Sequence, residues 1–265
     1  MVKEFEKHQY WTIILGGSSG LGLASALKLA AHGMNICIVH RNTRAEMTQV
    51  EAEFSTIRSF GIKLLTYNMD VVKPENIVSI LEDFKEQVGT KGKVRCLLHS
   101  IAKGNLKEMV SATGPILQSD DFVLTLQNMA ISLFDWTKEI FGANLFAEDA
   151  RVLAFTSQGS TKAWKHYAAV STAKAALEAI IRSIALEYAP YGLRANCIQA
   201  GITNTPSLQK IPGSATLIDH AIQTNPFKRI TTPEDVANAV YLLCKDEASW
   251  INGSIIPVDG GEHIS

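Results

Sequence analysis

The phrase Gly16-Gly17-Ser18-Ser19-Gly20-Leu21-Gly22 stands between an apolar run at 11–15 and a helical apolar pattern at 21–31. Glycines in Gly-x-x-x-Gly-x-Gly spacing, placed between a strand and a helix, let the backbone approach a pyrophosphate at the helix N-terminus. A glycine-rich turn alone need hold no ligand, so the context decides. Apolar, β-rich runs at 11–15, 35–39, 63–67, 94–99, 151–156, 194–198 and 254–258 alternate with helical patterns along the whole chain. That alternation predicts an α/β fold: one doubly wound, seven-stranded parallel sheet with helices on both faces. Gly33 and Gly61 read as helix stops, and Pro74 and Pro233 as first-turn residues.

With 265 residues, 46% of them hydrophobic, one large core suffices, and a single domain over 1–265 is expected. Between 201 and 226 the pattern breaks into Thr, Asn, Pro, Gly and Ser around a short apolar stretch at 215–222, which reads as a lid. A formal charge of −1 without a long like-charged run marks no nucleic-acid binder. Cys37, Cys96, Cys197 and Cys244 lack any C-x-x-C spacing and read as buried free thiols of a reducing cytoplasm. No apolar stretch reaches the ~18 residues of a membrane span, and Lys3, Glu4, Glu6 and Lys7 are unlike a secretory signal. A soluble, cytoplasmic protein with no membrane partner is expected. No His or acid pair has metal-ligand spacing, so no catalytic metal is expected, and His99 reads as a structurally satisfied strand-end histidine.

The end of the second expected strand reads Val39-His40-Arg41-Asn42-Thr43-Arg44. Dinucleotide folds that select NAD place an acid here against the ribose 2′-hydroxyl. This chain has none, and Arg41 and Arg44 can pair with a 2′-phosphate through planar guanidinium groups. The expected cofactor is NADPH rather than NADH; the alternative is two solvated loop arginines.

Tyr167 and Lys174 lie in Tyr167-Ala168-Ala169-Val170-Ser171-Thr172-Ala173-Lys174. Together with the glycine loop, Pro233-Glu234-Asp235-Val236 and Val258-Asp259-Gly260-Gly261, this stretch resembles the short-chain dehydrogenase/reductase superfamily, from Ile13 to Gly261. The resemblance implies a Rossmann-like fold whose nucleotide contacts comprise Gly16, Ser18, Ser19, Gly20, Leu21 and Gly22. It also implies that Asp70 and Val71 meet adenine and that Ser100, Ile101 and Ala102, after His99, pass the nicotinamide ribose. Asn128 resembles the helix asparagine that supports the active site. Gly201, Ile202 and Thr205 resemble the turn whose Ile202 backbone and Thr205 hydroxyl hold the carboxamide and diphosphate. Two positions depart from the common pattern: Leu15 replaces the threonine before the loop, and His99-Ser100-Ile101-Ala102 replaces Asn-Asn-Ala-Gly.

Most members carry Tyr-x-x-x-Lys, but four residues before Lys174 stands Val170. Tyr167 is three residues earlier, a displacement of about 4.5 Å along a helix axis with about 60° of rotation away from a full turn. In an α,β-unsaturated thioester, hydride goes to the β-carbon while charge develops on an oxygen ~3 Å away, against ~1.2 Å in a simple carbonyl. A relocated tyrosine suits that separation. The spacing and the His99-Ser100-Ile101 phrase are similar to enoyl-acyl-carrier-protein reductases, and the glycine loop resembles the smaller NADPH-using bacterial branch. The resemblance implies Tyr167 on the enolate oxygen, Lys174 on the nicotinamide ribose, an acyl thioester on acyl carrier protein as substrate in fatty acid synthesis, and a homotetramer built through helices near 122–140 and 168–188. Lys103, Lys107, Lys162, Lys165 and Lys210 fall in loops expected at the cleft mouth, where they could steer an acidic carrier. Ser157, seventeen residues before Lys174, stands where carbonyl reducers carry a polarising serine. A 3-oxoacyl or other carbonyl reductase therefore stays open, as does a nucleotide-binding protein without turnover.

Overall fold

The structure is a computed structural model that describes residues 2–265. Its seven strands are β1 Tyr10–Leu15, β2 Asn35–His40, β3 Leu64–Asn68, β4 Lys93–His99, β5 Phe146–Thr156, β6 Leu193–Ala200 and β7 Ile255–Val258. They form one parallel sheet in the order β3-β2-β1-β4-β5-β6-β7, so the winding reverses between β1 and β4. In such sheets the ligand crevice lies beyond the strand C-termini at that reversal.

The apolar residues of the strands divide between two cores, one on each face of the sheet. On one face Ile13, Leu15, Leu97 and Val152 pack with Ile77 and Phe84 of α3 (Pro74–Val88), Trp136 and Ile140 of α5 (Ser132–Gly142), and Leu177 and Ile181 of α6 (Ala168–Glu187). On the other, Ile14, Ile38, Leu98 and Leu153 meet Ala26 and Leu29 of α1 (Gly20–Ala31), Phe54 of α2 (Met47–Arg58) and Val236 and Val240 of α9 (Pro233–Cys244). Burial on both faces is why the strands read as continuous apolar runs.

Punctuation falls as read. Gly33 and Gly61 have φ of +87° and +80°, and Pro74 and Pro233 open their helices. Thr232 and Asp235 close a reciprocal capping box on α9: Asp235 N–H donates to Thr232 Oγ1 at 3.2 Å, and Thr232 N–H to Asp235 Oδ2 at 2.9 Å. The long helix expected near 122–140 is instead α4 (Ser119–Leu126), a widened π-helical turn (Gln127–Ile131) and α5. Asn128 lies in that widened turn and donates through Nδ2 to Leu124 O at 2.8 Å. The 201–226 segment forms two short helices, α7 (Pro206–Gln209) and α8 (Ser214–Thr224). All four cysteines are buried and free. Among the described residues no helix is long and apolar enough to cross a membrane, and no cluster of His, Cys, Asp or Glu is placed to hold a metal ion.

Candidate active site

The C-terminal ends of β1 to β6 border a cavity of about 600 Å³, within the usual range for small-molecule sites. Gly16, Ser18, Ser19, Gly20 and Leu21 line one wall, with Arg41, Asp70 and Val71 beyond β2 and β3. Ser100, Ile101 and Ala102 follow β4; Ser157, Tyr167 and Lys174 come from β5 and α6; Asn128, Gly201, Ile202 and Thr205 complete the ring. Two predicted residues stand apart from the lining. Gly22 lies beneath the loop, where a Cβ would sit 2.2 Å from Gly16 O, and Arg44 is outside the cavity wall.

The glycine cradle fits a pyrophosphate. Helix α1 begins at Gly20 with no side-chain hydrogen bond on its N-terminus, which leaves first-turn N–H groups for an anion. A Cβ at Gly16, whose φ is +88°, would approach Ser100 O to 2.4 Å, so only glycine lets β1 and β4 run this close at the crevice. Across the gap, the Thr205 methyl would lie 3.5 Å from a Cβ on Gly20. The Thr205 hydroxyl itself accepts from Leu208 N–H at 3.2 Å and caps α7.

Tyr167 lies just outside the helix that carries Lys174. His166 takes a left-handed φ of +63°, Tyr167 has a φ of −111° and ψ of 2°, and α6 starts at Ala168. Its carbonyl nonetheless accepts Ser171 N–H at 2.7 Å, so Tyr167 is tied to the first turn and its side chain still shares the cavity with Lys174. Met129, Val170 and Ala173, with Leu106, Trp164 and Ile211 against them, surround the phenol ring. Trp164 and Tyr167 have ring centroids 5.4 Å apart. This apolar sleeve had no sequence signal, since Leu106, Trp164 and Ile211 lie in loops where no period applies.

Burial raises the Tyr167 phenol above its ordinary range, with the neighbouring Ser157 hydroxyl pulling the other way. Ser157 Oγ is itself buried and closes no hydrogen bond in the observed geometry, an orphan that a substrate oxygen could satisfy. Lys174 is buried, donates from Nζ to Phe155 O at 2.6 Å, and is brought down to about 8 by burial, against the pull of Cys197 and Glu178. Glu178, one turn further along α6, accepts from Thr156 Oγ1 at 2.5 Å. His99 behind them is pushed down to about 3 by burial and by the Lys174 charge. Ser132 Oγ donates to Asn128 O at 2.7 Å, so the 2.9 Å contact between His99 Nε2 and Ser132 Oγ is an Nε2–H donation from a neutral ring.

Beyond β2 and β3, Arg41 Nη1 donates to Asp70 Oδ2 at 2.5 Å, so two residues expected to meet the nucleotide meet each other. The Arg41 side chain is 60% exposed. Among the expected rim lysines, Lys103 and Lys210 line the cavity, while Lys107 is held by Asp121 at 2.8 Å. A charged lining residue with no expectation attached is Glu262, after β7, which accepts Ile202 N–H at 3.0 Å.

Known proteins resemble this chain in sequence and in fold. A 2,4-dienoyl-CoA reductase described as probable in Bacillus subtilis is 28% identical over 96% of both chains. An enoyl-[acyl-carrier-protein] reductase [NADH] of Aquifex aeolicus is 30% identical over 78% of this chain and 74% of its own length. The solved Bacillus cereus enoyl-acyl carrier protein reductase, with NADP+ and indole naphthyridinone, superposes with a TM-score of 0.87 at 26% identity, covering 100% of this chain and 99% of that one. The family model described as enoyl-(acyl carrier protein) reductase matches residues 16–263. That span takes in every segment bordering the cavity, and the chain belongs to the enoyl-(acyl carrier protein) reductase family of the short-chain dehydrogenase/reductases.

Proposed function

We propose that this protein reduces the 2,3 double bond of an enoyl thioester, carried on acyl carrier protein in fatty acid synthesis, with NADPH as the electron source. The observation that carries the reading is Tyr167: seven residues before Lys174, buried, and set in an apolar sleeve of Trp164, Leu106, Met129 and Ile211. A dinucleotide bound in the cradle supplies the hydride that the β-carbon accepts. Tyr167 donates its phenol proton toward the thioester oxygen as charge develops there, and the sleeve keeps water from that oxygen. Lys174 places a positive charge behind it and holds the ribose hydroxyls. The 201–226 segment folds over the acyl chain as a lid of a single-domain protein.

The preference for NADPH rests on Arg41 and Arg44 and on the absence of an acid at the end of β2. The A. aeolicus relative uses NADH by its description, whereas the B. cereus structure holds NADP+, so the preference belongs to the residues of this chain. Arg41 exchanges Asp70 for the 2′-phosphate on this reading. A cytoplasmic homotetramer is the matching assembly. The orphaned Ser157 hydroxyl favours a second reading, reduction of a 3-oxoacyl carbonyl.

Parallel assays with crotonyl and acetoacetyl thioesters, each with NADPH and NADH, separate the two. Turnover of the crotonyl substrate with NADPH is the expected result; turnover of acetoacetyl alone would reassign the chemistry to the carbonyl. The Lys174 environment adds a pH signature. Its charge is complete below about 8 and disappears as the pH rises through that value. The kcat/KM for the dinucleotide, which reports the free enzyme, is therefore expected to fall across that value. Lys174→Arg, whose guanidinium stays protonated, should shift that limb upward at a reduced rate. A profile flat well beyond this value would remove the lysine charge from the reaction.

A further inference from the structure

The tail after β7 sends an acidic side chain into the cavity at the flank opposite Asp70. It is held firmly: Asp259, 4% exposed, accepts Gly261 N–H at 2.9 Å, His263 N–H at 3.0 Å and pairs with His263 Nδ1 at 2.7 Å. From that anchored turn Glu262 reaches the backbone N–H of Ile202. The approach is close enough that a Cβ on Gly201 would lie 2.9 Å from Glu262 Oε2. The ionisable groups in the neighbourhood of the carboxyl are Lys162 from the segment after β5, His220 on α8 and Asp259. Yet among the described residues its one hydrogen-bond donor is the Ile202 amide. A half-buried carboxylate seated on a single neutral amide is an occupant that a better ligand can replace.

We propose that Glu262 is a built-in competitor for the nicotinamide half of the cofactor: its carboxylate takes the Ile202 N–H that the carboxamide needs, and a whole dinucleotide binds only by turning it out. This rests on the reading above that the turn at Ile202 receives the carboxamide. It makes Glu262 a determinant of cofactor affinity that acts at one end of the site and not the other. The ADP-ribose half, bound over the glycine loop and Arg41, makes no demand on Ile202.

The test is titration of the purified full-length protein with NADPH and with 2′-phospho-ADP-ribose, which lacks nicotinamide, followed by calorimetry. Glu262→Ala is expected to tighten NADPH by about tenfold, the scale of one hydrogen bond to a charged acceptor, and to leave the fragment unchanged. Glu262→Gln keeps an amide oxygen for Ile202 without the charge and should fall between. Unchanged or weaker NADPH binding in both variants, or an equal shift for both ligands, overturns the proposal while the dinucleotide site stands. Failure of the unmodified protein to bind either ligand removes the dinucleotide reading and the proposal with it.

Discussion

Tyr167→Phe is expected to lower turnover of an enoyl thioester by about 10²- to 10³-fold, the usual cost of losing one proton donor at a developing oxyanion, while NADPH affinity is retained. The substitution removes an oxygen and leaves the ring. Trp164, Met129 and Val170 keep their contacts, and Gly159, where a Cβ would lie 2.5 Å from the Tyr167 ring, still fits beneath it. Position and fold are thereby held constant while the chemistry changes. Steady-state oxidation of NADPH with a crotonyl thioester, alongside a binding titration, gives both numbers. Ser157→Ala is the discriminating partner: if the enoyl reading is right it costs less than Tyr167→Phe, because the donor aimed at the remote oxygen survives. A larger loss from Ser157→Ala, on a keto substrate, would show that the orphaned hydroxyl carries the reaction.

The sheet was legible because its inner strands are buried on both faces and so announce themselves as apolar runs between turn residues. The exception is the start of β5, which begins at Phe146, five residues before the expected Arg151. Glu148 and Asp149 interrupt the apolar pattern there. The pairing survives because Ala150 N–H donates to Gly192 O at 3.0 Å, and Gly192, at φ +84°, lets Glu148 O approach where a Cβ would be only 1.8 Å away. The cavity was legible where a motif fixes backbone shape, as in the glycine loop and the 200–205 turn. It was opaque where side chains arrive from irregular segments. Trp164 and Glu262 have no periodic neighbours to place them, and the left-handed His166 that sets Tyr167 just outside α6 is invisible in a histidine. Arg41 and Asp70 were each read singly, and their pairing with each other follows only from β2 and β3 lying side by side.

Those same interrupting charges at the start of β5 carry the largest expected effect on stability. Asp149 takes Arg95 Nη1 at 2.8 Å, Arg151 Nη1 at 2.5 Å and Arg194 Nη1 at 2.8 Å, so one carboxylate serves arginines from β4, β5 and β6. The Arg95 and Arg151 side chains are each 1% exposed. They also cap the end of α9: Arg151 Nε donates to Leu243 O at 2.8 Å and Arg95 Nε to Cys244 O at 3.0 Å. Asp149→Ala leaves two buried guanidinium groups facing each other with only Asp246, 86% exposed, still paired to Arg95. Breaking a buried pair from one side costs ~3–5 kcal/mol, which for a chain of this size lowers the melting temperature on the order of 10 °C. The effect should depend on pH with a definite sign. Burial alone would raise the Asp149 carboxyl, but the Arg151 hydrogen bonds and the charges of Arg151, Arg95 and Arg194 outweigh it and hold the group below its ordinary value. Its contribution is therefore complete above about pH 5 and is lost as the pH falls through the depressed folded-state value. Melting curves of both proteins across that acid range should converge, and a gap of constant size would mean the carboxylate charge is not what the arginines require. Because Asp149 lies at the end of β5 opposite Ser157, dinucleotide affinity in the folded variant should match that of the unmodified protein, which separates this prediction from every one made at the cavity.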